Sequence, residues 1–472
     1  MPITKTISLR ILRPYYPPEI EAKIKAEKEK RKENGDTGSL NSSYYRELKK
    51  EYPSIIINDE FFPLLSEMQR NITSIYNRTI SHLYHRLIIK KESISTAKAL
   101  SEGPYRDFKS TFNSYIALGL RQKVQSNFRK KDLMAFKIAL PTAKSDKFPI
   151  PIYMQTNFKI KESPDSDFII ELPLVEYIAK ETKGKNKMFT KVEILSPPKV
   201  KNIPVILSTR RRKESGQWFS DEGTNAEIRR IISGEYKVSW IEIVKRTRFG
   251  KHDWFVNMVI SFEESQEGLD PDVIGGIDIG VSKPLICAIN NSLDRYIVKG
   301  DDIIAFNRRA LSRRRSLLRR NRLKRSGHGS RNKLEPITVL TEKNERFKKS
   351  IMQRWAKEVA EFFKSKRASI VQMEELTGIK EREDFFSKTL RMYWNYGQLQ
   401  KTVENKLREY GIEVRYASPK DTSRRCHSCG HINDYFTFEF RQQNNFPLFK
   451  CMNCGIECSA DYNAARNIAI AR

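Results

Sequence analysis

The chain has 472 residues, of which 39% are hydrophobic; this suits two to four domains of roughly 100–200 residues and excludes a disordered or collagen-like chain. No apolar run reaches the roughly 18 residues of a membrane span, and no signal peptide is evident, so we expect a cytoplasmic prokaryotic protein with no membrane contact. The 87 lysines and arginines exceed the 57 acids by 30 charges, which favours nucleic acid as the partner. A basic protein with no specific partner is the alternative.

The N-terminal third predicts a strand followed by helices. Alternating apolar residues predict a first strand over residues 3–12. Residues 18–34 are charged on all sides and predict an exposed helix or a mobile insert. Apolar residues at three- and four-residue steps predict helices over residues 61–89 and 105–128.

The next part of the chain is predicted to be mainly β. Strand-like segments containing proline run from residue 139 to 209. A hairpin follows, with strands over 239–246 and 254–262 and a turn at 249–253. These strands, with the first one, indicate a β domain interrupted by the helical segments.

Three acids in the C-terminal half stand at a strand, a strand end and a helix start. They are Asp278 in VIGGIDIGV, Glu374 in VQMEEL and Asp461 in ADYNAARNIA. Alone, each has a simpler interpretation as a turn residue, a solvated strand end or a helix cap. Together they could hold two Mg²⁺ or Mn²⁺ ions, which activate water and stabilise the leaving oxygen in phosphodiester hydrolysis.

Four cysteines form two CxxC pairs with 21 residues between them: Cys426 and Cys429, then Cys451 and Cys454. Four thiolates suit one tetrahedral Zn²⁺, and this loop length predicts a structural zinc ribbon; disulfides are the alternative. Arg424 and Arg425, beside the ribbon and its phenylalanines, are candidate nucleic-acid contacts.

Residues 303–334 contain twelve basic residues and no acid. A like-charged helix needs anions to neutralise it, and guanidinium groups bind phosphates bidentately. A solvated basic face is the alternative. The candidate nucleic-acid contacts here are Arg308, Arg309, Arg313, Arg314, Arg315, Arg319, Arg320, Arg322, Lys324 and Arg325.

The motifs identify a family when they are taken in order. GIDIGV, VQMEEL, the two CxxC pairs and ADYNAARNIA resemble the split RuvC-like nuclease domain of small type V CRISPR effectors. AFNRRALSRRRSLL, GHGSRNKLEPI, WNYGQLQKTVENKLREYGIEV and RRIISGEYKVS are similar to the miniature type V-F effectors in particular. The resemblance covers about residues 225–472.

The resemblance implies an RNA-guided DNA endonuclease with an RNase H-like (RuvC) α/β nuclease domain, a zinc ribbon and an N-terminal wedge β-barrel carrying a helical recognition insertion. It implies a guide RNA, a short flanking duplex motif and cleavage of complementary double-stranded DNA at one metal-dependent site. Two protein copies are expected on one guide RNA. Asp278, Glu374 and Asp461 match the three acids of the family, and Arg441 matches a supporting active-site arginine.

The resemblance also implies domain boundaries. They are residues 1–50 and 136–270 for the wedge, 51–135 for the recognition lobe, 271–423 and 458–472 for the nuclease domain, and 424–457 for the zinc-ribbon target-nucleic-acid-binding module.

Three other functions are considered, and each predicts a different feature. A transposon-encoded guide nuclease would share the chemistry but take its RNA from a transposon end. A guided DNA-binding protein that does not cut would be expected to lack one of the acids, and all three are present. An actin-like ATPase or sugar kinase has a similar Gly-Ile-Asp-Ile-Gly loop, but it needs a second phosphate loop that this sequence lacks.

Overall fold

The computed structural model describes two compact units, residues 4–262 and residues 263–472 together with 1–3. It describes the whole chain except residues 1–2, 37–39, 41, 107–111, 136, 145–146, 154–158, 164–166, 184–187, 196, 198, 213–216, 249–250, 264–266, 281–282, 324–329, 376–395, 419, 445–447 and 471–472. Within this described part, no helix combines the length and the apolar character needed to cross a bilayer.

The first unit contains a seven-stranded sheet and an inserted group of helices. Its helices are α1 (Pro18–Glu33), α2 (Ser42–Glu51), α3 (Asn58–Tyr84, continued by a π-helical turn at His85–Ile89), α4 (Thr96–Ser101), α5 (Ser114–Asn127), α6 (Lys130–Met134) and α7 (Glu222–Ile232). Its strands are β1 (Ile3–Pro14), β2 (Ile150–Ile152), β3 (Ile160–Glu162), β4 (Phe168–Val175), β5 (Tyr177–Lys183), β6 (Met188–Ile194), β7 (Val200–Ser208), β8 (Arg211–Arg212), β9 (Trp218–Phe219), β10 (Lys237–Arg248) and β11 (Lys251–Phe262).

The large sheet of the first unit has the order β2-β10-β11-β1-β7-β4-β3. The predicted first strand is confirmed: Ile7, Leu9 and Ile11 alternate along β1 and are buried in the main core. The predicted long helix is also confirmed, because α3 buries one continuous stripe that includes Met68 and Ile72. Period-two and period-3.6 patterns therefore located the elements that build this core.

Two local predictions in the first unit are refined. Segment 18–34 forms a helix with mostly exposed side chains, as one of its two interpretations predicts, but Ile20 and Ile24, one turn apart on α1, are buried. The hairpin turn is shorter than predicted, since β11 already begins at Lys251. Asp253, predicted in the turn at 249–253, lies in β11 and pairs with Arg10 of β1, Oδ1 to Nη2 at 2.8 Å.

The second unit contains a five-stranded mixed sheet. Its strands are β12 (Asp270–Asp278), β13 (Leu285–Ile289), β14 (Arg295–Val298), β15 (Ala368–Glu374) and β16 (Glu413–Ala417), with a short ribbon of β17 (Phe449–Lys450) and β18 (Glu457–Cys458). Its helices are α8 (Asp301–Leu323), α9 (Ser330–Ser365), α10 (Tyr396–Glu409), α11 (Phe438–Gln443) and α12 (Ala460–Ile470).

The five strands have the order β14-β13-β12-β15-β16. β12, β15 and β16 run parallel, whereas β13 is antiparallel to both of its neighbours. Parallel strands end at one edge of the sheet, where α/β proteins commonly place their functional side chains. The strands β12 and β15 end at Asp278 and Glu374, so two of the predicted acids lie at this edge.

Two consecutive glycines let helices approach both faces of β12. A Cβ on Gly275 would lie 2.2 Å from Cε1 of Phe363 in α9. A Cβ on Gly276 would lie 2.1 Å from the carbonyl oxygen of Ala465 and 2.5 Å from the amide nitrogen of Ala469, both in α12. The second contact is backbone against backbone, so no rotamer change can relieve it. The sheet is thus packed between α9 on one face and α12 on the other.

We expect Gly276→Ala to lower the free energy of unfolding by about 1–3 kcal/mol or more, because the added methyl group would separate α12 from β12. Thermal or denaturant unfolding of the full chain measures this loss. Gly223→Ala is a matched control: its Cβ would meet only Oδ1 of Asp221 at 3.7 Å, and alanine favours the helix. Wild-type stability in Gly276→Ala would refute the close contact.

Candidate catalytic and zinc sites

The three predicted acids come from three elements of the second unit. Asp278 is the last residue of β12, and Glu374 is the last residue of the parallel neighbour β15. The register pairs Ile277 with Met373, so the two acids follow side by side. Asp461 lies in the first turn of α12, the helix that packs on β12 at Gly276. The structure therefore brings all three predicted acids to one edge of the sheet.

The pKa values of two of these acids are raised by their surroundings. Burial raises the pKa of Asp278 well above its usual range, and the charges of Glu374 and Asp461 raise it further. Burial also raises the pKa of Glu374, against the opposing effects of Thr422 and Arg441. Buried carboxylates that repel one another are a common sign of a functional site, because a bound cation would relieve both costs.

The charge of Arg441 acts on this cluster. Arg441 lies in α11, and its guanidinium is 5.7 Å from the ring centroid of Phe436. Burial lowers the pKa of Arg441, while the charges of Asp461 and Asp278 oppose that change. The structure therefore places the predicted supporting arginine beside the acids, and its charge partly offsets their repulsion.

Three further residues around the acids were not predicted from the sequence. The Thr422 hydroxyl donates a hydrogen bond to Oε1 of Glu374 at 2.6 Å. The Gln400 side chain donates to the backbone oxygen of Glu374 at 2.7 Å. Lys283 places its Nζ 3.9 Å from Oδ2 of Asp461. Lys283 stands five residues after Asp278 and could have been singled out, but only the fold brings Thr422 to Glu374.

The four predicted cysteines form a compact cluster. Sγ of Cys426 lies 3.6 Å from Sγ of Cys454, and Sγ of Cys429 lies 3.6 Å from Sγ of Cys451. Sulfurs bound to one tetrahedral zinc at about 2.3 Å would lie about 3.8 Å apart, so the donor set fits Zn²⁺. Among the described residues, these four alone bring three or more potential ligand atoms within 4.8 Å of one another. The three carboxylates are spread more widely than that.

The backbone around the cysteines explains why the cluster forms. Gly430 and Gly455, which follow the two CxxC pairs, have φ values of +76° and +73°. This left-handed conformation suits glycine and closes each turn back toward its sulfurs. Phe436 and Phe449 are fully buried beside Cys426, so a small apolar core supports the cluster.

The basic residues divide into exposed and paired groups. In α8, the described candidate side chains are exposed: Arg308, Arg309, Arg313, Arg314, Arg315, Arg319 and Arg320. Lys324, Arg325 and the side chain of Arg322 lie outside the described residues.

The arginines beside the cysteines are already engaged within the chain. Arg424 pairs with Asp421, Nη2 to Oδ1 at 2.6 Å, and lies 3.6 Å from Asp434. Arg425 donates to the Gly430 carbonyl at 3.2 Å. A nucleic acid would therefore compete with internal partners at these two side chains.

The sequence of this chain is similar to those of known proteins of one family. A CRISPR-associated endodeoxyribonuclease Cas12f1 from an uncultured archaeon is 40% identical to this chain, over 99% of this chain and 97% of its own length. The chain belongs to the Cas12f1 family. A Cas12f1 of Sulfoacidibacillus thermotolerans is 32% identical over 72% of each chain. The family model described as Cas12f1-like, TNB domain, matches residues 396–468.

A solved Cas12f1 structure shares the fold. The cryo-EM structure of a Cas12f1–sgRNA–target DNA complex matches with a TM-score of 0.81 and 39% identity, over 99% of both chains. A TnpB-like protein of Methanocaldococcus jannaschii is 34% identical, but the match covers 20% of this chain and 33% of its own. The archaeal Cas12f1 relative thus matches nearly the whole chain and the Sulfoacidibacillus relative 72% of it, whereas this TnpB-like relative matches 20%.

The raised pKa of Asp278 predicts how stability depends on pH when no divalent cation is added. A carboxyl whose pKa is raised by folding destabilises the fold as pH rises above the unfolded value of about 3.9. We therefore expect the melting temperature of Asp278→Asn, relative to wild type, to increase from about pH 4 to about pH 8.

The matched control for this prediction has the opposite sign. Bonds from Lys366 and Ser292 lower the pKa of Asp294, so its ionised form stabilises the fold. Asp294→Asn should therefore lose a little stability relative to wild type as pH rises, by an amount limited by solvent screening. Parallel pH profiles for Asp278→Asn and wild type would contradict the buried, repelling environment of Asp278.

Proposed function

We propose that this chain is an RNA-guided DNA endonuclease that cleaves DNA at one metal-dependent site formed by Asp278, Glu374 and Asp461. The observation that carries the proposal is the group of three partly buried acids at one sheet edge, where the charges of Glu374 and Asp461 raise the pKa of Asp278. Membership of a family of CRISPR-associated endodeoxyribonucleases supports DNA as the substrate. A related structure that contains sgRNA and target DNA supports a guide RNA as partner.

The acids fit Mg²⁺ or Mn²⁺, because hard divalent cations prefer carboxylate oxygens. Asp278, Glu374 and Asp461 would hold two such ions. The ions, when bound, would supply an activated water and neutralise charge on the scissile phosphate.

Protein groups around the acids have separate roles. Thr422 fixes Glu374 through its 2.6 Å hydrogen bond. Arg441 adds positive charge beside the acids, where an incoming phosphate would pass. Lys283 places a second positive charge 3.9 Å from the Asp461 carboxylate.

We propose an RNase H-like (RuvC) fold for the five-stranded sheet and a zinc ribbon for the cysteine cluster. The mixed strand order and the facing sulfurs support these assignments. The predicted boundaries stand as part of this proposal: wedge 1–50 and 136–270, recognition lobe 51–135, nuclease domain 271–423 and 458–472, and ribbon 424–457.

We assign α8 to nucleic-acid backbone binding. Its described arginines are exposed, and within the described part of the chain none of them forms an ion pair. Their positive charges would be neutralised by phosphates, with release of counterions. The type V-F resemblance further suggests two protein copies on one guide RNA, in the cytoplasm of a prokaryote.

Replacing Glu374 by alanine tests the catalytic assignment. We expect Glu374→Ala to abolish cleavage of guide-complementary DNA while leaving binding of the guide and target intact, because only a metal ligand is lost. Cleavage is measured on labelled duplex and binding by gel shift in Ca²⁺.

Glu375→Gln is the matched control for this experiment. Glu375 is the next carboxylate in the chain, it is exposed, and its backbone nitrogen donates to the Ala417 carbonyl. This variant should cleave at the wild-type rate. Cleavage by Glu374→Ala, or an equal loss in both variants, would rule out the assigned role.

Replacing Cys429 by serine tests the zinc assignment. We expect the purified Cys429→Ser protein to contain less than one equivalent of zinc and to be impaired in folding or in DNA loading, since one of four ligands is missing. Elemental analysis measures the metal. Cys458→Ser is the control, because this half-buried thiol lies outside the cluster, and it should keep its zinc. Full activity without zinc would exclude a structural role for the ion.

A further inference from the structure

Two asparagines of α12 bind the chain segment that leads into the cysteine cluster. Asn463 is fully buried. Its amide nitrogen donates to the carbonyl of Arg425 at 2.7 Å and to that of Ser423 at 3.3 Å. Its amide oxygen accepts a hydrogen bond from the backbone nitrogen of His427 at 3.0 Å and lies 2.9 Å from Nδ1 of the same residue.

Asn467 lies one turn further along the same face of α12. It is 5% exposed, and its amide nitrogen donates to the carbonyls of Thr422 at 2.8 Å and Arg425 at 2.6 Å. The two side chains together fix the backbone from Thr422 to His427 at several points. Loss of these amides would remove a hydrogen-bond donor from the carbonyls of Thr422, Ser423 and Arg425, and an unsatisfied buried polar group is costly.

The segment they hold, residues 422–427, reaches both proposed metal sites. At one end, the Thr422 hydroxyl binds the carboxylate of Glu374. At the other end, Cys426 is one of the four clustered thiols. The helix that carries the asparagines also carries Asp461 in its first turn. Glu374 is therefore connected to the cysteine cluster through the Thr422 hydrogen bond, and Asp461 through α12 and the partly buried hydrogen bonds of its asparagines.

We propose that Asn463 and Asn467 are positioning residues that couple zinc binding at the cysteine cluster to divalent-cation binding at the acids. This inference rests on the proposed function, in which Asp278, Glu374 and Asp461 hold the cations. Zinc fixes Cys426 and with it the segment 422–427. The amides transmit that order to α12 and Asp461, and Thr422 transmits it to Glu374. Because coupling between binding sites is reciprocal, cations at the acids also favour zinc at the cysteines.

Manganese binding to the full chain without nucleic acid tests the coupling in a double-mutant cycle. The four proteins are wild type, Cys429→Ser, Asn463→Ala/Asn467→Ala and their combination. Mn²⁺ affinity is measured by electron paramagnetic resonance. Mn²⁺ binding that is lost in Asp278→Asn is assigned to the acids. In the wild-type background, we expect Cys429→Ser to weaken this binding by roughly 5- to 150-fold. In the asparagine variant, whose affinity is already reduced, Cys429→Ser should cause no further loss.

Asn113→Ala controls for a general loss of stability. Asn113 is also buried, and it makes three side-chain hydrogen bonds of 3.0 Å in the first unit. This variant should keep the full effect of Cys429→Ser on Mn²⁺ affinity. If the double asparagine variant does not fold, Asn467→Ala alone removes two hydrogen bonds and should reduce that effect in part.

The outcomes separate this inference from the proposed function. If Asp278→Asn binds Mn²⁺ as well as wild type does, the proposed catalytic centre is refuted. A site that depends on Asp278 but is insensitive to Cys429→Ser would refute the coupling alone. An undiminished effect of Cys429→Ser in the asparagine variants would show that other residues carry the coupling.

Discussion

The close contact between β12 and α12 at Gly276 is the constraint on which the candidate catalytic site depends. Because the position carries no side chain, the backbone of α12 lies against the strand that ends in Asp278. That approach places Asp461, in the first turn of the helix, at the same sheet edge as Glu374. A sheet alone would supply two acids on neighbouring strands; the third requires a helix held this close.

Repulsion between the three acids destabilises the second unit at this sheet edge. Three acids converge here, burial disfavours ionisation of Asp278 and Glu374, and Arg441 offsets only part of the repulsion. A protein selected for stability alone would not be expected to retain such a group. The cost is understandable if divalent cations occupy the site during function, because each ion adds favourable charge and ligand bonds in place of repulsion.

Sequence reasoning found the elements whose signal is local. The CxxC pairs, the alternation in β1 and the stripe of α3 follow from spacing alone, and the order of three acid motifs indicated the family. It missed contacts that exist only after folding. The bond from Thr422 to Glu374 joins residues 48 positions apart, and Asp253 of β11 pairs with Arg10, 243 positions away. The burial of Ile20 and Ile24 was hidden by the charged residues around them.

Anomalous diffraction from crystals of the full chain grown with Mn²⁺ tests the central claim most directly, because manganese and zinc can be distinguished at their absorption edges. The account predicts manganese bound by the carboxylates of Asp278, Glu374 and Asp461, and one zinc among the four cysteines. Zinc among the cysteines with no manganese at the three acids, at concentrations that support cleavage, would contradict it.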